Sequence, residues 1–154
     1  AMDGCFVDRN NFQKAVSAMM YIQTDLSEQN KNWVIFPEGT RNRNPMGPLL
    51  DFHKGSFSAI MTAKAPIVPV ALYGTHNCLT SKHKLRRFPV YITFLKPIYP
   101  EEYKDKTADE VLNMTKDAIQ AEVNDLRKQY FKEIEGLFRS MRALKKYLNE
   151  KTSW

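Results

Sequence analysis

The residues best equipped for chemistry are six in a row: Phe36-Pro37-Glu38-Gly39-Thr40-Arg41. They follow the short apolar run Asn32-Trp33-Val34-Ile35-Phe36, which reads as a buried strand stopped by Pro37. In open α/β sheets, ligands bind beyond the carboxyl ends of the strands. Gly39 permits close backbone approach and a positive φ. Successive backbone N–H groups in such a turn can form an anion-binding nest. Thr40 adds a hydroxyl donor, and Arg41 a planar fork that matches phosphate with two parallel hydrogen bonds. Glu38 can orient Arg41 or hold a substrate hydroxyl. The set suits a phosphate beside a polyol. The bland alternative is a solvated turn in which Glu38 and Arg41 pair with each other.

Little else in the chain is reactive. Cys78 with His76 as its base could form an acyl thioester. Residues two apart in a loop rarely face each other, however, and nothing orients this imidazole. The two cysteines, Cys5 and Cys78, are too few for a disulfide framework or a zinc site. No metal is expected. The net charge of +6 is compatible with nucleic acid, anionic lipid or phosphorylated molecules. No base-stacking motif or recognition-helix pattern supports nucleic acid.

The positioning elements follow from periodicity. Residues 10–30 read as a helix, with Phe12, Val16, Met19 and Leu26 on one face and Lys14, Asp25 and Glu28 off it. The loop from Glu38 to Pro48 is rich in Gly, Pro, Asn and Arg, hence exposed and shaped by turns. Ser56 to Lys64 reads as a short helix, Ile67 to Tyr73 as a second buried strand and Pro89 to Leu95 as a third. Residues 75–87 form a polar, basic loop, and Pro97 to Lys106 a proline-bearing connection. From Thr107 the pattern is helical, opened by the capping box Thr107-x-x-Glu110. Leu112, Ile119, Val123, Leu126 and Tyr130 recur at helical spacing, and Gly136 is a plausible break before Leu137 to Leu148. The expected fold is α/β, a mixed sheet flanked by helices with a long C-terminal helical segment. Residues 1–106 form the α/β part and 107–154 a helical segment packed on it or on a membrane.

Four blocks in order resemble the glycerolipid acyltransferases, the family of 1-acyl-sn-glycerol-3-phosphate acyltransferases. Phe36 to Arg41 resembles the family's third block, and Phe6-Val7-Asp8-Arg9 its second. Phe52-His53-Lys54-Gly55 is similar to the Phe-basic-Lys-Gly stretch after the third block. Val68-Pro69-Val70-Ala71-Leu72 is similar to the fourth, an apolar strand containing proline. The resemblance runs from about Gly4 to Pro97. It implies transfer of a fatty acyl chain from acyl-coenzyme A or acyl carrier protein to lysophosphatidic acid, with no bound cofactor. It places Arg41 on the substrate phosphate, with Glu38, Gly39 and Thr40 shaping that site and Arg9 close by. Lys54 is a further candidate for the same anion or for the donor's phosphates. Val68, Pro69 and Val70 line an acyl pocket or are purely structural.

The family's base is a histidine with an aspartate five positions later, in a first block upstream of the second. Five positions after His53, His76 and His83 stand Ser58, Ser81 and Phe88, so none fits. The resemblance therefore implies that the chain is a piece, inactive alone, of a membrane-associated enzyme acting on the cytoplasmic face. A non-catalytic phosphate- or lipid-binding module of the same family is the alternative. Lys82, Lys84, Arg86 and Arg87, with Leu85 and Phe88 among them, suit an anionic membrane surface or, equally, a plain solvated basic loop. Arg142, Lys145, Lys146 and Lys151, opposite Met141, Leu144 and Leu148, fit an interfacial helix or one packed on protein.

Overall fold

The computed structural model describes residues 11–28, 31–77 and 88–135, together with Lys146 and Asn149. Its elements are helix α1 (Phe12–Glu28), helix α2 (Lys54–Thr62), strand β1 (Val70–Tyr73), strand β2 (Tyr91–Phe94), the one-turn helix α3 (Pro100–Tyr103) and the long helix α4 (Ala108–Glu135). A 3-10 turn at Thr75–Asn77 follows β1. Helices plus a small antiparallel sheet, with a long helix last, give the α/β class that the periodicity implies. The residues form two compact units. The first comprises 1–40, 51–67 and 97–114, the second 41–50, 68–96 and 115–154.

In the first unit α1 packs on α2. Its buried stripe is Ala18, Ile22 and Asp25, rotated from the expected face, and Val16 is exposed. Asp25 is buried because Lys31 closes the helix end over it. The Lys31 ammonium stands 3.3 Å from the carboxylate, and the Lys31 N–H donates to the Asp25 carbonyl at 3.2 Å. A charged partner that keeps its own head in water makes that burial tolerable.

The expected strand at 32–36 is not formed. Its backbone finds no ladder partner among the described residues, and Val34 and Phe36 are 83% and 74% exposed. Trp33 instead sets its ring edge-on to Tyr21, with centroids 6.0 Å apart.

The core of this unit gathers Phe57 of α2, Ile67, Ile98, Tyr103 of α3 and Val111 and Leu112 of α4. Ile67 and Ile98 exchange backbone hydrogen bonds of 2.9 and 2.8 Å in an isolated antiparallel bridge. The helix α3 lies within the expected plain connection and is too short for periodicity to reveal. Pro100 presets its first φ, and the Glu102 carboxylate accepts the Tyr99 N–H at 3.0 Å. Tyr103 anchors it, donating its hydroxyl to the Ala65 carbonyl at 2.8 Å.

In the second unit β1 and β2 pair antiparallel, Val70 opposite Phe94 and Tyr73 opposite Tyr91. The second expected strand is shorter than its apolar run and buried on one face only. Pro69 has no N–H for a ladder, although its carbonyl accepts the Leu95 N–H at 2.9 Å. Ala71 and Tyr73 turn inward while Leu72 is exposed. They meet Val123, Leu126, Tyr130 and Ile134 of α4. Tyr73 and Tyr130 pack edge to face at 5.3 Å, and buried Asn77 donates to the Tyr130 hydroxyl. The stripe on α4 agrees with its sequence spacing, and its capping box forms in both directions between Thr107 and Glu110. Beyond Glu135 only Lys146 and Asn149 are described, both helical. The expected break at Gly136 and the basic stretch around it otherwise lie outside the described residues.

Candidate functional site

In the first unit, the residues from Phe36 to Thr40 make a tight turn. The Gly39 N–H donates to the Phe36 carbonyl at 2.9 Å, and Gly39 has φ of +61°. That left-handed backbone favours glycine because a Cβ would crowd the carbonyl oxygen. A second bond fixes where the turn lies: the His53 N–H donates to the Pro37 carbonyl at 2.9 Å. His53 is the N-cap of α2, and the Ser56 hydroxyl donates back to its carbonyl at 2.9 Å. The turn is thereby fastened to the start of a helix. The first N–H groups of a helix have no intrahelical partners, and its dipole leaves that end positive. Such a setting favours an anion.

Lys54 opens α2 and forms an ion pair with Asp109 at the start of α4. Both side chains are more than half exposed, so the pair adds little stability. It does give the ammonium a resident carboxylate partner. His53 is exposed. Glu38 and Gly39 are half-buried and Thr40 is exposed.

Arg41 begins the second unit. It is exposed, and it makes no hydrogen bond or ion pair with any described residue. Among the described residues, then, no ion pair holds this guanidinium. The loop after it, 42–50, has no helix or strand and is held by Asn-based turns. Asn42 Nδ2 donates to the Pro48 carbonyl at 2.8 Å, and Asn42 Oδ1 accepts the Asn44 N–H at 2.9 Å. Asn44 Oδ1 accepts the Met46 N–H at 3.2 Å. Side chains distant in sequence also hold this loop. Arg127 donates to the Gly47 carbonyl at 2.7 Å, Gln120 Oε1 accepts the Leu49 N–H at 2.6 Å, and the Tyr73 hydroxyl donates to the Pro45 carbonyl at 3.1 Å.

Sequence reasoning did not single out Arg127, Gln120 or Tyr73. One signal was present: Gln120 and Arg127 are seven apart on α4, so they share a face beside the apolar stripe. The run Asn42-x-Asn44-Pro45-x-Gly47 likewise spells turn chemistry. Val68 is exposed, Pro69 buried and Val70 half-buried, the last of these in β1. Arg9, Cys5, Cys78, His83 and the basic cluster from Lys82 to Arg87 lie outside the described residues. Among the described residues no group of three His, Cys, Asp or Glu could hold a metal ion, and no helix is long and apolar enough to cross a membrane.

The acyltransferase family model matches residues 1–73, a span that includes the Phe36–Arg41 turn and the start of α2. The 1-acyl-sn-glycerol-3-phosphate acyltransferase of Limnanthes douglasii is 32% identical over 112 residues, 72% of this chain and 39% of that protein. The chain is similar to the acyltransferase family. Another relative, the 1-acyl-sn-glycerol-3-phosphate acyltransferase of Haemophilus influenzae, is 43% identical over 72 residues, 47% of this chain and 29% of that protein. Acyltransferase architecture extends past the family match. The crystal structure of the 1-acyl-sn-glycerophosphate (LPA) acyltransferase PlsC from Thermotoga maritima superimposes with a TM-score of 0.61 at 24% identity, over 74% of this chain and 46% of that one. The chain spans well under half the length of the curated relatives it matches, 39% for the Limnanthes protein and 35% for that of Cocos nucifera.

Proposed function

We propose that the acyltransferase containing these residues moves a fatty acyl group from an acyl-coenzyme A or acyl-carrier-protein thioester to lysophosphatidic acid, giving phosphatidic acid. In this reading the chain supplies recognition of the acceptor's phosphate. Arg41 is the principal phosphate ligand, with Glu38, Gly39 and Thr40 shaping the turn before it, and Arg9 and Lys54 contributing further charge. Val68, Pro69 and Val70 lie near the acyl chain or serve the strand alone. The reaction removes a proton from the acceptor hydroxyl as its oxygen attacks the thioester carbonyl and the thiol leaves. A membrane surface on the cytoplasmic side is the setting in which a lysophospholipid is met.

The observation that carries the reading is Arg41: an exposed guanidinium without a partner among the described residues, directly after a glycine turn fastened to a helix start. A hydrogen bond to a charged group contributes about 1.5–3 kcal/mol. Arg41→Ala should therefore raise the KM for lysophosphatidic acid about tenfold to a hundredfold, leaving the KM for the thioester unchanged. An unaltered acceptor KM would remove Arg41 from the phosphate site.

The sequence itself favours one second reading. No histidine among these residues has an aspartate five positions later. A phosphate- or lipid-binding module would bind lysophosphatidic acid without turning it over, and acyl transfer by these 154 residues alone would eliminate it.

A further inference from the structure

The loop that begins with Arg41 owes its path to side chains far away in sequence. Three backbone groups of this loop are held from outside it: the carbonyls of Pro45 and Gly47 and the N–H of Leu49. Each holder grips backbone, so what is fixed is the course of the chain.

Arg127 is the most telling of the three. It is half-buried and pairs with no carboxylate among the described residues. Its guanidinium lies 5.8 Å from the centre of the Tyr73 ring, one of its NH2 groups donates to Gly47, and its Nε is buried without a partner. Partly burying an arginine without a carboxylate costs free energy, so charge neutralisation does not account for its placement. The contact that does is the grip on the loop. Gln120 is fixed in turn by donating from Nε2 to Asn124 at 3.0 Å.

We infer that Arg127 and Gln120 are positioning residues for acceptor binding, acting by holding the loop that carries Arg41; the inference rests on Arg41 as the phosphate ligand. A two-pronged guanidinium–phosphate contact tolerates only about half an ångström of misplacement. Releasing the Gly47 and Leu49 backbone frees a loop that has no secondary structure of its own.

The test is steady-state kinetics of the acyltransferase with 1-oleoyl lysophosphatidic acid and an acyl-coenzyme A, together with amide hydrogen exchange over residues 42–49. Arg127→Ala should raise the KM for lysophosphatidic acid about tenfold, leave the KM for acyl-coenzyme A unchanged and speed exchange in the loop. Arg127→Lys should recover part of the loss. Gln120→Ala, the milder change, should raise the acceptor KM severalfold and serves if Arg127→Ala does not fold. The double variant Arg41→Ala/Arg127→Ala should be no worse than Arg41→Ala alone, since both act through one contact. If Arg41→Ala raises the acceptor KM and neither Arg127→Ala nor Gln120→Ala does, the positioning role is overturned and the phosphate site stands. If Arg127→Ala weakens both substrates alike and Arg127→Lys rescues neither, the residue is merely structural and the inference fails. If Arg41→Ala itself has no effect, the phosphate reading falls and this inference with it.

Discussion

Gly74 should be among the least replaceable positions in the second unit. It directly follows β1 with φ of +99°, and a Cβ there would meet the Pro89 carbonyl oxygen at 2.3 Å, with Val90 Cα and Tyr130 Cε2 both at 3.2 Å. Pro89 and Val90 are backbone contacts and cannot rotate away. Backbone strain of this kind costs about 1–3 kcal/mol, and forcing extra atoms into a packed site costs about 1–3 kcal/mol more. Gly74→Ala should thus lose about 2–6 kcal/mol, out of the roughly 5–15 kcal/mol that holds a domain folded. Urea unfolding followed by circular dichroism would register this as a midpoint lowered by at least about 0.7 M. Gly55→Ala is the control. Its added Cβ would find only Met19 Cγ at 3.8 Å, an ordinary contact inside a helix, so it should be neutral or stabilising. A Gly74→Ala loss below about 1 kcal/mol, or one equal to that of Gly55→Ala, would refute the reasoning.

Two further predictions concern the helix cap and the alkaline limb. Thr107→Ala should cost about 1 kcal/mol of stability. The Thr107 N–H and hydroxyl both donate to the Glu110 carboxylate and hold its pKa below the usual value. Stability from a depressed carboxylate is present above its unfolded pKa and lost as pH falls through its folded pKa. The gap between wild type and variant should therefore narrow on acidification, and a gap that stays constant in acid melts would contradict this. Tyr91 donates to Glu133, and that bond, with burial and the carboxylate's charge, pushes its pKa from 10.0 up to about 12. A raised folded pKa gives stability that is full below pH 10 and lost as pH rises through about 12. Tyr91→Phe should remove that part of the alkaline loss, and an unchanged alkaline melting profile would count against the contact.

Long helical patterns were the most legible part of the fold. The Thr107 capping box and the stripe through Leu112, Val123, Leu126 and Tyr130 are formed as their spacing implies. Short apolar runs were less so, because a strand depends on a ladder partner that its own residues do not specify. Residues 32–36 find none among the described residues, and 67–73 yields only four strand residues once Pro69 interrupts the donors. Asp25 shows the same limit: its polarity assigns it to solvent, and only the fold brings Lys31 over it. At the candidate site, the Gly39 turn was legible because a glycine between Glu and Thr after a proline implies a special backbone. Arg127 and Gln120 were not, because they act on carbonyl and amide groups 80 and 71 residues away, which carry no side-chain signature. The Lys54–Asp109 pair was hidden for the same reason of distance.

The central claim is that Arg41 reads the acceptor's phosphate. Its most direct test is the preference of the acyltransferase for lysophosphatidic acid over the same monoacylglycerol without phosphate, measured as a ratio of kcat/KM before and after Arg41→Ala. The account predicts that the ratio falls about tenfold to a hundredfold, through loss on the phosphorylated acceptor alone. A ratio that survives Arg41→Ala unchanged would contradict it.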